Sequence, residues 1–484
     1  MSRTLRSAVA LAAIVSACAQ PAPEQQFVND AAEALGGRER VLAVRTLVVE
    51  GAGVNGNLGQ DMTPEARSQT FTVTAYKRAV DVAGARARTE QTRVPDFEYF
   101  QGRQPQTQVF GIDGQTGYNV SANGSATRAS NAVATDRRFE FYHHPLTIVR
   151  AALDPAATLA NPRTAGGESV VEVTTSDGMR LTLAVDTTTR LPTRVVSMAD
   201  NANLGDVAVE TIFSDYQDAG GLSLPLRWTT TTDGVLTADV RLSKQSIDAE
   251  TGDLAAPAAA ASAAPIAAPP PASVTAEEVA RGVWRLAGQS HHSVLVEFAD
   301  HLTLIEAPQN DTRALAVIAK ARELRPGKPL TTVVVSHHHF DHSGGVRAAV
   351  SEGLTVLTQK AAAVFFQNAL TRSHAIVPDA LARNGRPPTI ETVDEELVLR
   401  DSAMTMNLYR IAGSPHADTL LMAYFPASRV LVEADVFSPG SAVNPYAANL
   451  LENITRYRLR VDRIVPLHGA ITPYAELLKV QPMP

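Results

Sequence analysis

The stretch TTVVVSHHHFDHSGG, Thr331 to Gly345, decides how this chain is read. Its apolar, β-branched start reads as a buried strand, which stops at three consecutive histidines, an aspartate and a fourth histidine. In extended backbone, residues two apart point to the same side. His337 and His339 can therefore converge on one ion, while His338 points away. After the chain turns, Asp341 and His342 face a second position beside the first. Ser343-Gly344-Gly345 then opens a helix, and the glycines let backbone and site pack closely without Cβ clashes. Imidazole and carboxylate together suit zinc, and also iron or manganese.

One loop does not supply enough ligands for such a site, so the rest of the region has to contribute. GSPHADTLLMAYFP carries His416, VLVEADVFSP carries Asp435 and IVPLHGA carries His468. Each lies next to an apolar strand, and parallel strands in register bring such positions to one sheet edge. Around them the runs VWRLA, HSVLVEF, HLTLIEA and LTTVVVS alternate with helical patterns such as TRALAVIAKARELR and AANLLENITRYRLR. Strands alternating with helices over residues 275–484 predict a layered α/β fold.

In this order and at these spacings, His337-x-His339-x-Asp341-His342, His416, Asp435 and His468 resemble the metallo-β-lactamase superfamily over about residues 275–484. The resemblance implies an αββα sandwich with the site at the edge between its sheets. It implies two zinc ions per chain: His337, His339 and His416 hold the first, Asp341, His342 and His468 the second, and Asp435 bridges both. The implied reaction is hydrolysis by a hydroxide shared between the two ions, with Asp341 orienting it and taking or relaying its proton. The implied substrate is a small ester, lactone, thioester, amide or phosphoester. Three departures bear on the subfamily. Glu306 stands where an Asp is usual, and a longer acid can still support the ligand loop through a hydrogen bond. Asp435 and His342 replace the Cys and Arg of one group of true β-lactamases, and Ser438 stands in place of their Lys. The ligand set looks more like glyoxalase II and general hydrolases than penicillin-cleaving enzymes.

Other histidines are weighed beside these. His338 is expected to support the site or face solvent. His291 and His292, in GQSHHSVLVEF, read equally as a substrate contact or a plain loop pair. His374, in a Pro- and Gly-punctuated insertion, is expected in a solvated loop. Tyr446 and Asn449 can reach an oxyanion or simply start a helix.

The alanine- and proline-rich run LAAPAAAASAAPIAAPPPA, residues 254–272, predicts a semi-stiff linker. Residues 27–250 before it read as strands with D-G and G-G breaks, which predicts a large, curved antiparallel sheet. Helices are expected at about 29–44 and 139–153, with His143 and His144 as partly exposed residues of the second. LTLAVDTTTRLPTRVV and FSDYQDAGGLSLPLRW resemble the sheet domains of Lol-type lipoprotein carriers, and that resemblance implies an apolar ligand groove.

The chain has 484 residues, 45% hydrophobic and 19% charged, with a net charge of −7 and no long basic run. That argues for two globular units and against a nucleic-acid partner. The single cysteine, Cys18, excludes an intramolecular disulfide and a thiolate cluster. Arg3 and Arg6 precede the short apolar run AVALAAIVSA, the form of an export signal over residues 1–19. VSAC is similar to a bacterial lipobox, which implies lipidation of Cys18 and anchoring to a membrane. Ala19 after it implies an outer-membrane lipoprotein facing the periplasm. Ordinary cleavage after ACA is the competing reading. Two other functions compete with the hydrolase. One is a mononuclear iron sulfur dioxygenase using His337, His416 and Asp435, and the other is a non-catalytic lipoprotein that binds an apolar ligand.

Overall fold

The first strand of the chain, Thr46–Gly56, pairs on one side with the next, Thr70–Asp81, and on the other with a strand far along the chain, Val235–Ile247. Two meanders are thereby joined into a single thirteen-stranded antiparallel sheet over residues 46–247 of the computed structural model. The model describes residues 22–66, 69–98 and 100–480, so the leader and Cys18 lie outside the described residues. Alternation along Thr46–Gly56 sends Leu47 and Val49 to one face. There they meet Val28, Leu146, Val149 and Trp228 in a core shared with four helices, Pro23–Ala34, Arg38–Ala43, Asn131–Tyr142 and Pro145–Ala152. A cavity of about 440 Å³ lies among the sheet and helices, with Val80, Phe141, Trp228 and Val240 in its apolar lining and Asp136 and Asp200 among its polar residues.

Two helices expected as single pieces are broken, each for a local reason. Gly36 and Gly37 adopt φ of 124° and 107°, which ends Pro23–Ala34 and starts Arg38–Ala43. Pro145 disfavours helical backbone at His144 before it, so the chain turns at His143-His144 and a new helix starts at Pro145. Both imidazoles are half-buried. The His143 ring bridges to the sheet through Thr211 Oγ1 (2.8 Å) and Ser197 Oγ (2.9 Å), and burial pulls both histidines down to about 3. The Ala/Pro run packs on the sheet as well: Leu254 is buried, and residues Ala258–Ser262 form one short helical turn.

The C-terminal region is a pair of sheets. A seven-stranded sheet runs from Thr275–Ala280 to Ile390–Val393, and its strands from Leu302–Ile305 onward are parallel. A six-stranded sheet runs from Glu396–Arg400 to Thr472–Pro473. Their inner faces share one core, with Val294, Val334, Leu408, Tyr424, Val432 and Val465 among its buried members. Asp311–Leu324, Val346–Ser351 and Ala363–Thr371 pack on the outer face of the first sheet, and Ala447–Arg456 packs on the second through Leu450 and Ile454. The layers are helix, sheet, sheet, helix, the α/β arrangement expected. Among the described residues no helix is long and apolar enough to cross a membrane.

Candidate metal centre

Strand ends place the chemistry. Leu330–Val334 delivers Ser336 to His342 into a short helical turn, Phe340–Ser343. The parallel pair Val430–Glu433 and Arg463–Pro466 is in register, so Asp435 and His468 leave the sheet side by side. His416 comes from the loop between Thr405–Arg410 and Leu421–Phe425. Close packing under the loop explains the two glycines. A Cβ on Gly345 would lie 2.4 Å from Ala314 Cβ, and one on Gly344 would lie 2.1 Å from Gln309 O.

All seven residues predicted from sequence come together, in two groups. The donor atoms of His337, His339, His416 and Asp435 lie within 4.8 Å of one another, and so do those of His291, Asp341, His342 and His468. Asp435 joins the groups. Its Oδ2 is 3.0 Å from both His342 Nε2 and His416 Nε2, and its Oδ1 is 3.0 Å from His468 Nε2.

The outer nitrogens of these rings show what the inner ones are for. His342 Nδ1 donates to Glu306 Oε2 at 2.7 Å, which leaves its Nε2 to face Asp435 Oδ2 at 3.0 Å. His339 Nε2 donates to the backbone oxygen of Asp61 at 2.8 Å, leaving Nδ1 buried and without a partner. His342 Nε2 and His468 Nε2 are only 3.0 Å apart, and His337 Nε2 and His416 Nε2 are 3.3 Å apart. Facing lone pairs at such distances repel unless a cation or proton lies between them. Burial pulls His342 down, but Asp435, Glu306 and Asp341 outweigh it and hold the imidazole well above its ordinary value. The cluster therefore draws positive charge, and its nitrogen and oxygen donors fit a divalent transition metal.

Asp341 is the most open of the group, with its side chain 35% exposed. It receives Gln60 Nε2 on Oδ1 at 2.8 Å, and its Oδ2 lies 3.1 Å from His291 Nε2. Burial raises its pKa, but the His342 charge and the His291 hydrogen bond dominate, and the carboxyl stays below the usual range. Glu306 does the supporting work expected of it. It is fully buried at φ 72°, and its Oε1 accepts the Ser336 N–H at 2.6 Å while Oε2 holds His342. Glu433 shapes the turn that presents Asp435 by accepting the N–H groups of Val436 and Phe437, and burial pushes it up to about 8.

The remaining candidates separate cleanly. His338 points away from the groups, onto Thr419 Oγ1 at 2.7 Å. His292 turns to the Gly288 N–H. His374, expected in a solvated loop, is 4% exposed because Asp200 and Gly205 of the N-terminal sheet pack against it. Tyr446 donates to Glu98 O, and Asn449 donates to Ala412 O and Gly413 O, so neither is aimed at a substrate oxygen. Gln60 and Asp61 were not found from sequence, because no local pattern marks a contact across 281 or 278 positions. Glu433, two residues before Asp435 in VLVEAD, had a signal in its placement at the end of a buried strand.

Fold and site define a class: residues 287–475 match the family described as "Metallo-beta-lactamase superfamily", and the C-terminal region carries a domain of that superfamily. Among solved structures, a metallo-beta-lactamase from Pontibacter korlensis is similar at 16% identity and a TM-score of 0.34, covering 43% of this chain and 96% of that one. The mono-zinc form of the metallo-beta-lactamase FIM-1 from Pseudomonas aeruginosa is similar at 18% identity and a TM-score of 0.31, covering 44% and 95%. No curated protein matches the chain.

Proposed function

We propose that the protein is a metal-dependent hydrolase that acts with two zinc ions on a small ester, lactone, thioester, amide or phosphoester. The observation that carries this reading is the convergence of the two donor groups on either side of Asp435. His337, His339 and His416 would hold one ion, Asp341, His342 and His468 the other, and Asp435 would contact both. Such ions supply Lewis-acid polarisation of the attacked group and lower the pKa of a water. The chain's own residues supply the rest. Glu306 fixes the His342 ring, the Asp61 carbonyl fixes the His339 ring, and Gln60 steadies Asp341. Asp341, open to solvent on one side, would orient the attacking water and accept its proton.

Metal analysis of the full chain is expected to find two zinc equivalents, with hydrolysis of at least one member of an ester, lactone, thioester, β-lactam and phosphodiester panel. One iron and no hydrolysis would favour a mononuclear dioxygenase instead. No bound metal after zinc supplementation would sink both.

We further read the leader as a lipoprotein signal, on the basis of VSAC ending at the single cysteine. Cells given labelled fatty acid should label the wild type and not Cys18→Ser, and label that persists in the variant overturns the anchor.

A second reading concerns the N-terminal region, where the 440 Å³ cavity is of the size that takes small apolar ligands. N-phenyl-1-naphthylamine should bind with enhanced fluorescence, and Val240→Trp, which fills the cavity, should abolish the signal. Equal signal from both proteins would locate the dye elsewhere.

A further inference from the structure

We infer that His291 is a further protein ligand of the second ion, beside Asp341, His342 and His468 and the shared Asp435. This rests on the two-ion reading above and adds to it a residue that the ligand set implied by the superfamily resemblance does not contain.

His291 lies in the turn between Val283–Ala287 and Ser293–Glu297 and is 8% exposed. Its backbone is fixed from two directions. Its carbonyl accepts from Arg313 Nη2 at 3.2 Å, and Arg313 is itself fully buried. The neighbouring His292 N–H donates to Leu467 O at 2.9 Å, which ties this turn to the one that carries His468. The His291 ring stands 3.8 Å from that of His468 and 5.2 Å from that of His342, centre to centre. Its Nε2 lies 3.1 Å from Asp341 Oδ2, inside the same donor group.

The other ring nitrogen decides between a ligand and a mere hydrogen-bond donor. Nδ1 is 2.8 Å from Ser290 Oγ and 3.3 Å from the side-chain amide of Gln309. With the amide nitrogen facing Ser290 and His291, Gln309 Oε1 is buried without a partner. The two ends of the amide are nearly alike in shape, and turning it over puts the oxygen against Ser290 and His291. Nδ1–H then donates to Ser290 Oγ, and the Ser290 hydroxyl donates to Gln309 Oε1. The ring is left with a bare Nε2 beside Asp341, His342 and His468. Gln309 is held for this by its own backbone, at φ 67° with its N–H on Asp341 O at 2.9 Å. Such strain in a non-glycine residue persists where the surroundings enforce it.

The second group then has the same composition as the first, three histidines and one aspartate, and these nitrogen and oxygen donors suit zinc or cobalt.

The test is zinc binding by the full-length protein at buffered free zinc, measured for wild type, His291→Gln, His291→Ala and His292→Gln. Glutamine can still donate to Asp341 but is a poor zinc ligand, so it rescues a supporting role and not a ligating one. The expected result is an unchanged first affinity, with a second affinity at least about 10-fold weaker in both His291 variants and unaltered in His292→Gln. Cobalt-loaded His291→Gln should also show an altered visible spectrum. A wild type with two ions and a His291→Gln variant with equal second affinity and spectrum overturns this inference alone. A wild type that holds fewer than two ions overturns the two-ion reading and this inference together.

Discussion

Asp435→Asn is expected to cost the protein both ions and nearly all hydrolysis. Its carboxylate is within hydrogen-bonding distance of His342, His416 and His468, and 3.6 Å from His337, so one side chain serves both donor groups. Asparagine is the informative replacement because Asp435 sits at φ 59°, a left-handed conformation that asparagine tolerates and alanine resists. The variant keeps the turn and the shape and removes only the charge. Losing an outer partner of a metal ligand typically costs about 10- to 100-fold in affinity or activity, and losing a shared ligand should exceed that range. Metal content after dialysis and kcat/KM on the best panel substrate are the readouts. A variant that retains two equivalents and wild-type turnover would remove Asp435 from the centre.

The second large effect is expected from Gly59→Ala, outside the C-terminal region. Gly59 lies in the segment between Thr46–Gly56 and Thr70–Asp81, which lies against the metal loop. Its carbonyl accepts the Phe340 N–H at 3.1 Å, Gln60 reaches Asp341, and the Asp61 carbonyl holds His339. A Cβ at position 59 would meet the Phe340 ring at 2.3 Å, and φ of 81° already disfavours any side chain there. The segment has to move, and the two contacts beside it go together. Metal affinity should fall about 10- to 100-fold. Gln60→Ala, which removes one contact, should fall less and mainly in kcat, because it loosens Asp341 and leaves the ligands of the first ion in place. Unchanged metal affinity in Gly59→Ala would show that the segment is a bystander.

What the sequence revealed follows from the range of each interaction. The His-x-His-x-Asp-His loop was legible because its geometry is set by a strand of period two and a turn, both local. His416, Asp435 and His468 were legible through chain order beside strand ends. The antiparallel character of the N-terminal region was legible from alternation and turn pairs. The breaks at Gly36-Gly37 and before Pro145 were missed because periodicity was read across residues whose backbone limits should have ended the helix. His374 was misplaced because its burial is supplied by Asp200 and Gly205 of the other region. The pair His291-His292 stayed undecided for a similar reason. Adjacent residues differ only in which way the turn aims them, and Arg313 and Leu467 set that from a distance.

The tie between Asp61 and His339 is made by a main-chain oxygen, which nearly every amino acid supplies alike. The contact at position 61 can therefore survive a change of side chain there, so long as the loop keeps its course. The trace of such a constraint would lie in the length and turn residues of the loop, with Gly59 foremost, and not in the identity of the residue that makes the bond.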